Sequence, residues 1–174
     1  MKELLLKLKA CGPAIDWAGD KTIEEIWATC HRGDWMLWLA RKLDIDKRVL
    51  TIAKGHCANT VRHLMKDERS IAAVDMAIKY GEGNATDSEL AAAAAAAAYA
   101  AAAYAAYATA AYAAYATAAY AAAAAYAAAA YDATADADAR KQSQQATAEI
   151  CRKYIPLGLI LAAIKSQEKQ KDGI

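Results

Sequence analysis

Forty consecutive residues, Ala91 to Ala130, use only alanine, tyrosine and threonine, and no charged side chain stands between Glu89 and Asp132. Alanine has the highest helix propensity and nothing in the run breaks a helix, so the composition predicts helix throughout. One helix from Asp87 to Lys153 would extend about 100 Å at 1.5 Å per residue, well beyond a compact domain of this length. The segment is therefore expected to fold back at least once, at the "YATAAY" repeats or at "YDATADADA". The expected fold class is all-α, a compact helical bundle carrying a long Ala/Tyr-rich segment.

A run of this length exceeds the roughly 20 residues that cross a bilayer. Its flanks, however, are acidic (Asp87, Glu89, Asp132, Asp136, Asp138), and its tyrosines run through the middle instead of gathering in two interfacial belts. No membrane partner is expected. The 21 basic and 20 acidic residues nearly cancel, so no bulk field draws the chain to nucleic acid either. Cys11, Cys30, Cys57 and Cys151 form no C-x-x-C pair, and lysines interrupt the apolar start "MKELLLKLKA". A cytoplasmic protein with reduced thiols is the natural expectation.

The whole chain, 1–174, reads as one helical domain: short amphipathic helices over 1–85, the Ala/Tyr-rich helices over 86–155, and a terminal helix with a polar tail over 156–174. Met1 to Ala10 is an amphipathic helix stopped by "CGP". Thr22 with Glu25 is a capping box opening a helix that runs to about Gly33, and Asp34 caps the apolar "WMLWLARKL". Asp46 caps a helix with Val49, Ile52, Ala53, His56, Cys57, Thr60 and Leu64 toward the core. Asp67 opens the next helix, with Ile71, Val74 and Ile78 inward and Gly81 as its C-terminal stop. Thr86 and Glu89 form a second capping box, and Pro156 precedes the last helix.

Tyr99, Tyr104, Tyr107, Tyr112, Tyr115 and Tyr120 alternate gaps of five and three. Eight residues of ideal helix leave a drift of roughly 80° per repeat, so the rings spiral around the axis. Such a helix suits surroundings of other helices or of a second copy, and a homo-oligomer is expected. The chain has ten tyrosines and no phenylalanine. Core filling alone has no need of hydroxyls, so some of these are expected to meet water, a partner or a ligand.

Chemistry-bearing motifs are sparse. Nucleophile elbow, P-loop, H-E-x-x-H and dinucleotide fingerprints are absent. Cys30-His31 and His56-Cys57 lack structural-zinc spacing and read as core residues, with no metal or cofactor expected. Asp132 and Asp136 share a helix face but lack the Glu-x-x-His partners of a di-metal bundle. An enzyme is not expected. Recognition remains: Trp35 and Trp38 lie on one helix face with Arg41 a turn later, a set able to stack a planar ligand while a guanidinium meets an anion. Arg62 and Arg69 could add phosphate contacts, and Tyr104, Tyr107, Tyr112, Tyr115 and Asp132 complete the candidate ligand-binding residues.

The stretch "CANTVRHLMKDERSIAAVDMAIKYGEGNAT" followed by the alanine-rich run resembles the immunity protein family associated with bacterial polymorphic toxin systems. The features carrying the resemblance are Cys57 and Ala58, Asp67 and Arg69, Ala72 and Ala73, and Gly81 and Gly83. With "DWMLWLARKLD" in front and the Ala/Tyr repeats behind, the chain is also similar to uncharacterised phage and prophage proteins given the same label. The match runs from about Asp34 to Tyr154, and the tyrosine repeat departs from the immunity pattern. The phage resemblance, joined to an enzyme-poor, ring-rich sequence, implies a counter-defence protein that sequesters a small anionic nucleotide-derived immune signal without cleaving it, in the host cytoplasm. The immunity resemblance implies an inhibitor that neutralises a toxin by protein–protein contact, with Tyr and Trp as interface anchors. An enclosed Tyr- or Trp-lined pocket holding an arginine separates the first from the second.

Overall fold

Helix-start chemistry places most of the elements. The computed structural model describes the backbone of residues 1–105 and 137–172 and the side chains of residues 1–99 and 141–169. The described residues form α-helices and one short 3₁₀ turn, with no strand among them. In chain order these are α1 (Lys2–Lys7), α2 (Gly12–Ala18), α3 (Ile23–Thr29), α4 (Gly33–Lys42), α5 (Lys47–Asn59), the 3₁₀ turn Arg62–Leu64, α6 (Glu68–Gly81), α7 (Asp87–Ala105), α8 (Ala137–Tyr154) and α9 (Leu157–Asp172). Among the described residues no helix is long and apolar enough to cross a membrane.

Both expected capping boxes form. Thr22 Oγ1 accepts from the Glu25 amide while Glu25 accepts from the Thr22 amide, and Thr86 and Glu89 repeat the exchange at the start of α7. Asp46 accepts from the Arg48 and Val49 amides and Asp67 from the Arg69 amide, so α5 and α6 start where expected. Asp34 is a correction. Helix α4 begins at Gly33 with Arg32 as its N-cap, and the Asp34 carboxylate is taken by the Arg32 guanidinium at 2.8 and 2.6 Å. Helix α2 is a second departure: "CGP" ends one helix and starts the next, because Pro13 sits in the first turn, where its missing N–H costs nothing.

Three helices end in the same way. After α1, α4 and α6 the next residues close the 6→1 and 5→2 backbone bonds of a Schellman motif, with Lys9, Asp44 and Gly83 at the left-handed position (φ 61°, 56° and 84°). Gly83, not Gly81, is thus the glycine that stops α6. Gly81 is its last helical residue, and a Cβ there would lie 2.2 Å from Cβ of Ile52 on α5.

The helices stack so that α5 contacts α6 on one side and α8 on another, α7 covers α6, and α8 also lies along α4. Both ends of the Ala/Tyr-rich segment therefore return to the same helical body, α7 on α6 and α8 on α4 and α5. The expected turn sites lie outside the described residues, except for the end of "YDATADADA", where Ala137, Asp138 and Ala139 already belong to α8. The main core joins α1 to α5 with α8 and α9, around Trp27, Met36, Leu39, Cys151, Ile155 and Ile160. Burial of each large apolar side chain there is worth about 1.5–3 kcal/mol. Leu64 departs from expectation: it is 50% exposed, because α5 ends at Asn59 and the 3₁₀ turn breaks the helical phase.

The buried thiols satisfy themselves on carbonyls: Cys30 on Arg32, Cys57 on Thr147 and Cys151 on Gly33. Burial pushes the Cys30 thiol up, and the hydrogen bond with Cys57, with burial, does the same for Cys151, so Cys30 and Cys151 are packing groups in protonated form. Among the described residues no group of three His, Cys, Asp or Glu side chains could hold a metal.

His56 stacks flat on Tyr154, ring centroids 4.4 Å apart. Desolvation first and Lys153 second lower its pKa, against a smaller opposing effect of Glu82. The neutral ring is thus the folded form, and the unfolded chain takes up the proton first as pH falls. Stability is expected to decline as pH drops from about 7 toward 5, below the free imidazole value of about 6.5, before the paired carboxylates titrate. Chemical denaturation of wild type and His56→Gln across that window checks it, with a flatter profile expected for the variant.

Candidate functional site

Helices α1 to α4 do not close completely against one another. Between them is a pocket of about 530 Å³, lined by sixteen residues from Leu5 to Leu39. Its floor is the buried set Ile26, Trp27, Met36 and Leu39, and its rim carries Lys9, Cys11, Arg32 and Asp34. Trp17, Trp35 and Trp38 form the walls, each half-buried. The chain has four tryptophans, and all four line this one pocket.

Local structure explains the convergence. Helix α2 brings Trp17 in from one side, its ring edge-on to His31 at 5.9 Å and 6.1 Å from Trp35 at a tilt of 56°. Helix α3 supplies Trp27, whose indole N–H donates to the Ile155 carbonyl at 3.2 Å and so fixes the floor to the core. Arg152 of α8 braces the same floor, donating to the Trp27 and Cys30 carbonyls at 3.2 and 2.9 Å. Helix α4 presents Trp35 and Trp38 at i and i+3 with Met36 and Leu39 behind them. Among the described residues the indole N–H groups of Trp17, Trp35 and Trp38 meet no protein acceptor, in contrast to that of Trp27.

Cations surround the rings. Lys21 Nζ lies 4.8 Å from the Trp17 ring centre, the Arg32 guanidinium 4.6 Å from Trp35 and Lys42 6.0 Å from Trp38. The lining itself holds two cations, Lys9 and Arg32, and one anion, Asp34. The pocket thus combines aromatic faces for a flat molecule with a mouth of net positive charge.

The expected site residues separate into groups. Trp35 and Trp38 meet in the pocket; Arg41 does not join them. Six residues beyond Trp35 is about 600° of helix, which turns Arg41 some 120° away from that ring and leaves it exposed. Arg62 is paired with Asp75 through both carboxylate oxygens, and Arg69 with Asp67 at 3.0 and 2.8 Å, the Arg69 guanidinium also lying 5.9 Å from the Tyr99 ring. Hydrogen bonding from Arg69 holds the Asp67 carboxyl down to about 2. Neither arginine lines the pocket. The backbone of Tyr104 belongs to α7, and Tyr107, Tyr112, Tyr115 and Asp132 lie outside the described residues.

Trp17, Trp27, Lys9 and Arg32 are the pocket residues that the motif reading passes over. A signal existed: all four tryptophans fall within the 22 residues from Trp17 to Trp38, a density that short helices can bring to one place. No protein-family model, curated protein or solved structure matches the chain.

Proposed function

We propose that the protein is a binding protein that sequesters a small, planar, anionic molecule of the nucleotide-derived class in the tryptophan pocket, without transforming it. The observation that carries this reading is the convergence of every tryptophan on one cavity, half-open where an enclosed one was expected, with Lys9 and Arg32 at its mouth. Its volume lies within the usual range for drug-sized ligands. The mouth charge favours an anion, and the unpaired indole donors can serve a ligand's polar edge. Resemblance to phage proteins makes counter-defence the natural setting, and a homo-oligomer through the Ala/Tyr-rich helix belongs to the same proposal.

The test uses the tryptophans as reporters. Emission and thermal unfolding are recorded against cyclic dinucleotides, cyclic oligonucleotides, ADP-ribose derivatives and NAD. A true ligand at about a hundredfold excess over its Kd stabilises by about 2.7 kcal/mol, which raises the midpoint by roughly 5–10 °C. It also quenches emission saturably and is recovered intact after denaturation. Trp35→Ala is expected to weaken binding by about 5- to 150-fold, since base–aromatic stacking is worth about 1–3 kcal/mol. Absence of both quench and shift across the panel overturns the reading and turns the search to a protein partner of the kind a toxin inhibitor would have.

A further inference from the structure

Lys9 stands in a backbone conformation that suits another residue. At the left-handed position of a Schellman motif, glycine is the usual occupant because a Cβ there is crowded by the following carbonyl. Gly83 fills the equivalent position after α6, whereas Lys9 has φ 61°. The Leu6 carbonyl accepts from the Lys9 amide at 3.0 Å and the Leu5 carbonyl from the Ala10 amide at 2.9 Å, so the conformation is locked by two backbone bonds. A helix-dipole role is weakly motivated, because Lys7 already places a charge in the last turn of α1. Lys9 is one of the residues lining the pocket, and among the described residues its ammonium meets no carboxylate. Arg32, the other cation of the lining, is held by Asp34 on both oxygens.

We infer that Lys9 is the anion-recognition residue of the tryptophan pocket: its ammonium receives the phosphate or other anionic group of a ligand whose flat part lies among Trp17, Trp35 and Trp38. This rests on the pocket reading above and deepens it, for it assigns the charged end of the ligand to the α1–α2 side of the cavity. Left-handed strain at a binding site is tolerated where the side chain it aims is needed. Asp44 is the internal control, with the same motif and φ 56° after α4, but away from the lining.

The experiment uses two fluorescent probes of one shape, 8-anilinonaphthalene-1-sulfonate and its uncharged counterpart N-phenyl-1-naphthylamine, titrated into the full chain with energy transfer from tryptophan as the readout. Wild type is expected to prefer the sulfonate. Lys9→Gly removes the charge and the strain together, so its thermal midpoint rises by about 3 °C while its preference for the sulfonate falls about fivefold, the worth of one ion pair at an exposed site. Lys9→Glu lowers the preference further. Asp44→Gly gains a similar midpoint rise and leaves the preference unchanged.

A stabilised Lys9→Gly that keeps the full sulfonate preference overturns the inference while leaving the pocket standing. If neither probe transfers energy from tryptophan in wild type, the pocket reading itself fails, and the role of Lys9 fails with it.

Discussion

Gly81→Ala lowers the thermal midpoint by about 10 °C. The added Cβ would lie 2.2 Å from Cβ, 2.9 Å from Cα and 3.0 Å from the amide nitrogen of Ile52, so the obstacle is largely the backbone of α5. A flexible side-chain tip could rotate away; a helix backbone moves only with everything packed on it. On one face of α5 lies α6, with Gly55 against Ile78, and on another α8, with the Cys57 thiol on the Thr147 carbonyl. Separating α5 from α6 therefore loosens one seam or strains the other. Overpacking of this kind costs about 1–3 kcal/mol and at times more, and each kcal/mol is worth about 2–4 °C in a domain of this size. Gly158→Ala supplies the contrast: it lies in α9 with nothing within 4 Å of a new Cβ, and it is expected to raise the midpoint slightly through helix propensity. Thermal unfolding followed by circular dichroism reads both, and a neutral Gly81→Ala would mean that α5 and α6 are farther apart in solution than their packing requires.

That example also marks what was legible in the sequence. Four helix starts were readable because their caps are local: Thr22 with Glu25, Asp46, Asp67, and Thr86 with Glu89 act within three residues of themselves. Glycines were not, since one that stops a helix and one that admits a neighbouring helix look alike in a string. Gly81 reads as a stop, yet its role is set by Ile52, 29 positions earlier. The arginines illustrate a related limit. Arg69 carries its carboxylate partner two residues away in Asp67, a pairing visible in the sequence, but Arg62 takes Asp75 from the next helix. In the pocket, the Trp35 and Trp38 pair follows from helical spacing alone. The approach of Trp17 and Lys9 depends on how α1 and α2 pack, which no periodicity within either short helix encodes.

Gly33→Ala is expected to cost about as much stability as Gly81→Ala and, unlike it, to damage the pocket. A Cβ at Gly33 would meet Oγ1, the carbonyl carbon and Cβ of Thr147 at 2.5, 2.7 and 2.7 Å, again including backbone. Thr147 cannot easily withdraw: it is buried, its hydroxyl donates within α8, and its carbonyl accepts from Cys57. The Cys151 thiol, one turn along α8, donates to the Gly33 carbonyl at 3.5 Å, so the first turn of α4 is held to α8 from both sides. Relief of the clash must therefore tilt α4 at its N-terminus, and the side chains carried next along that helix are Asp34, Trp35, Met36 and Trp38, all in the pocket lining. Stacking depends on ring placement within a fraction of an ångström, so probe affinity is expected to fall about tenfold as the midpoint drops by about 10 °C. Gly81→Ala acts on the α5–α6 seam, where no residue lines the pocket, and should leave affinity near wild type for the folded fraction. Measuring both variants well below their midpoints separates the two effects. Equal affinity in the two would detach α4 placement from binding, whereas loss confined to Gly33→Ala ties the tryptophan walls to the α4–α8 contact that sets them.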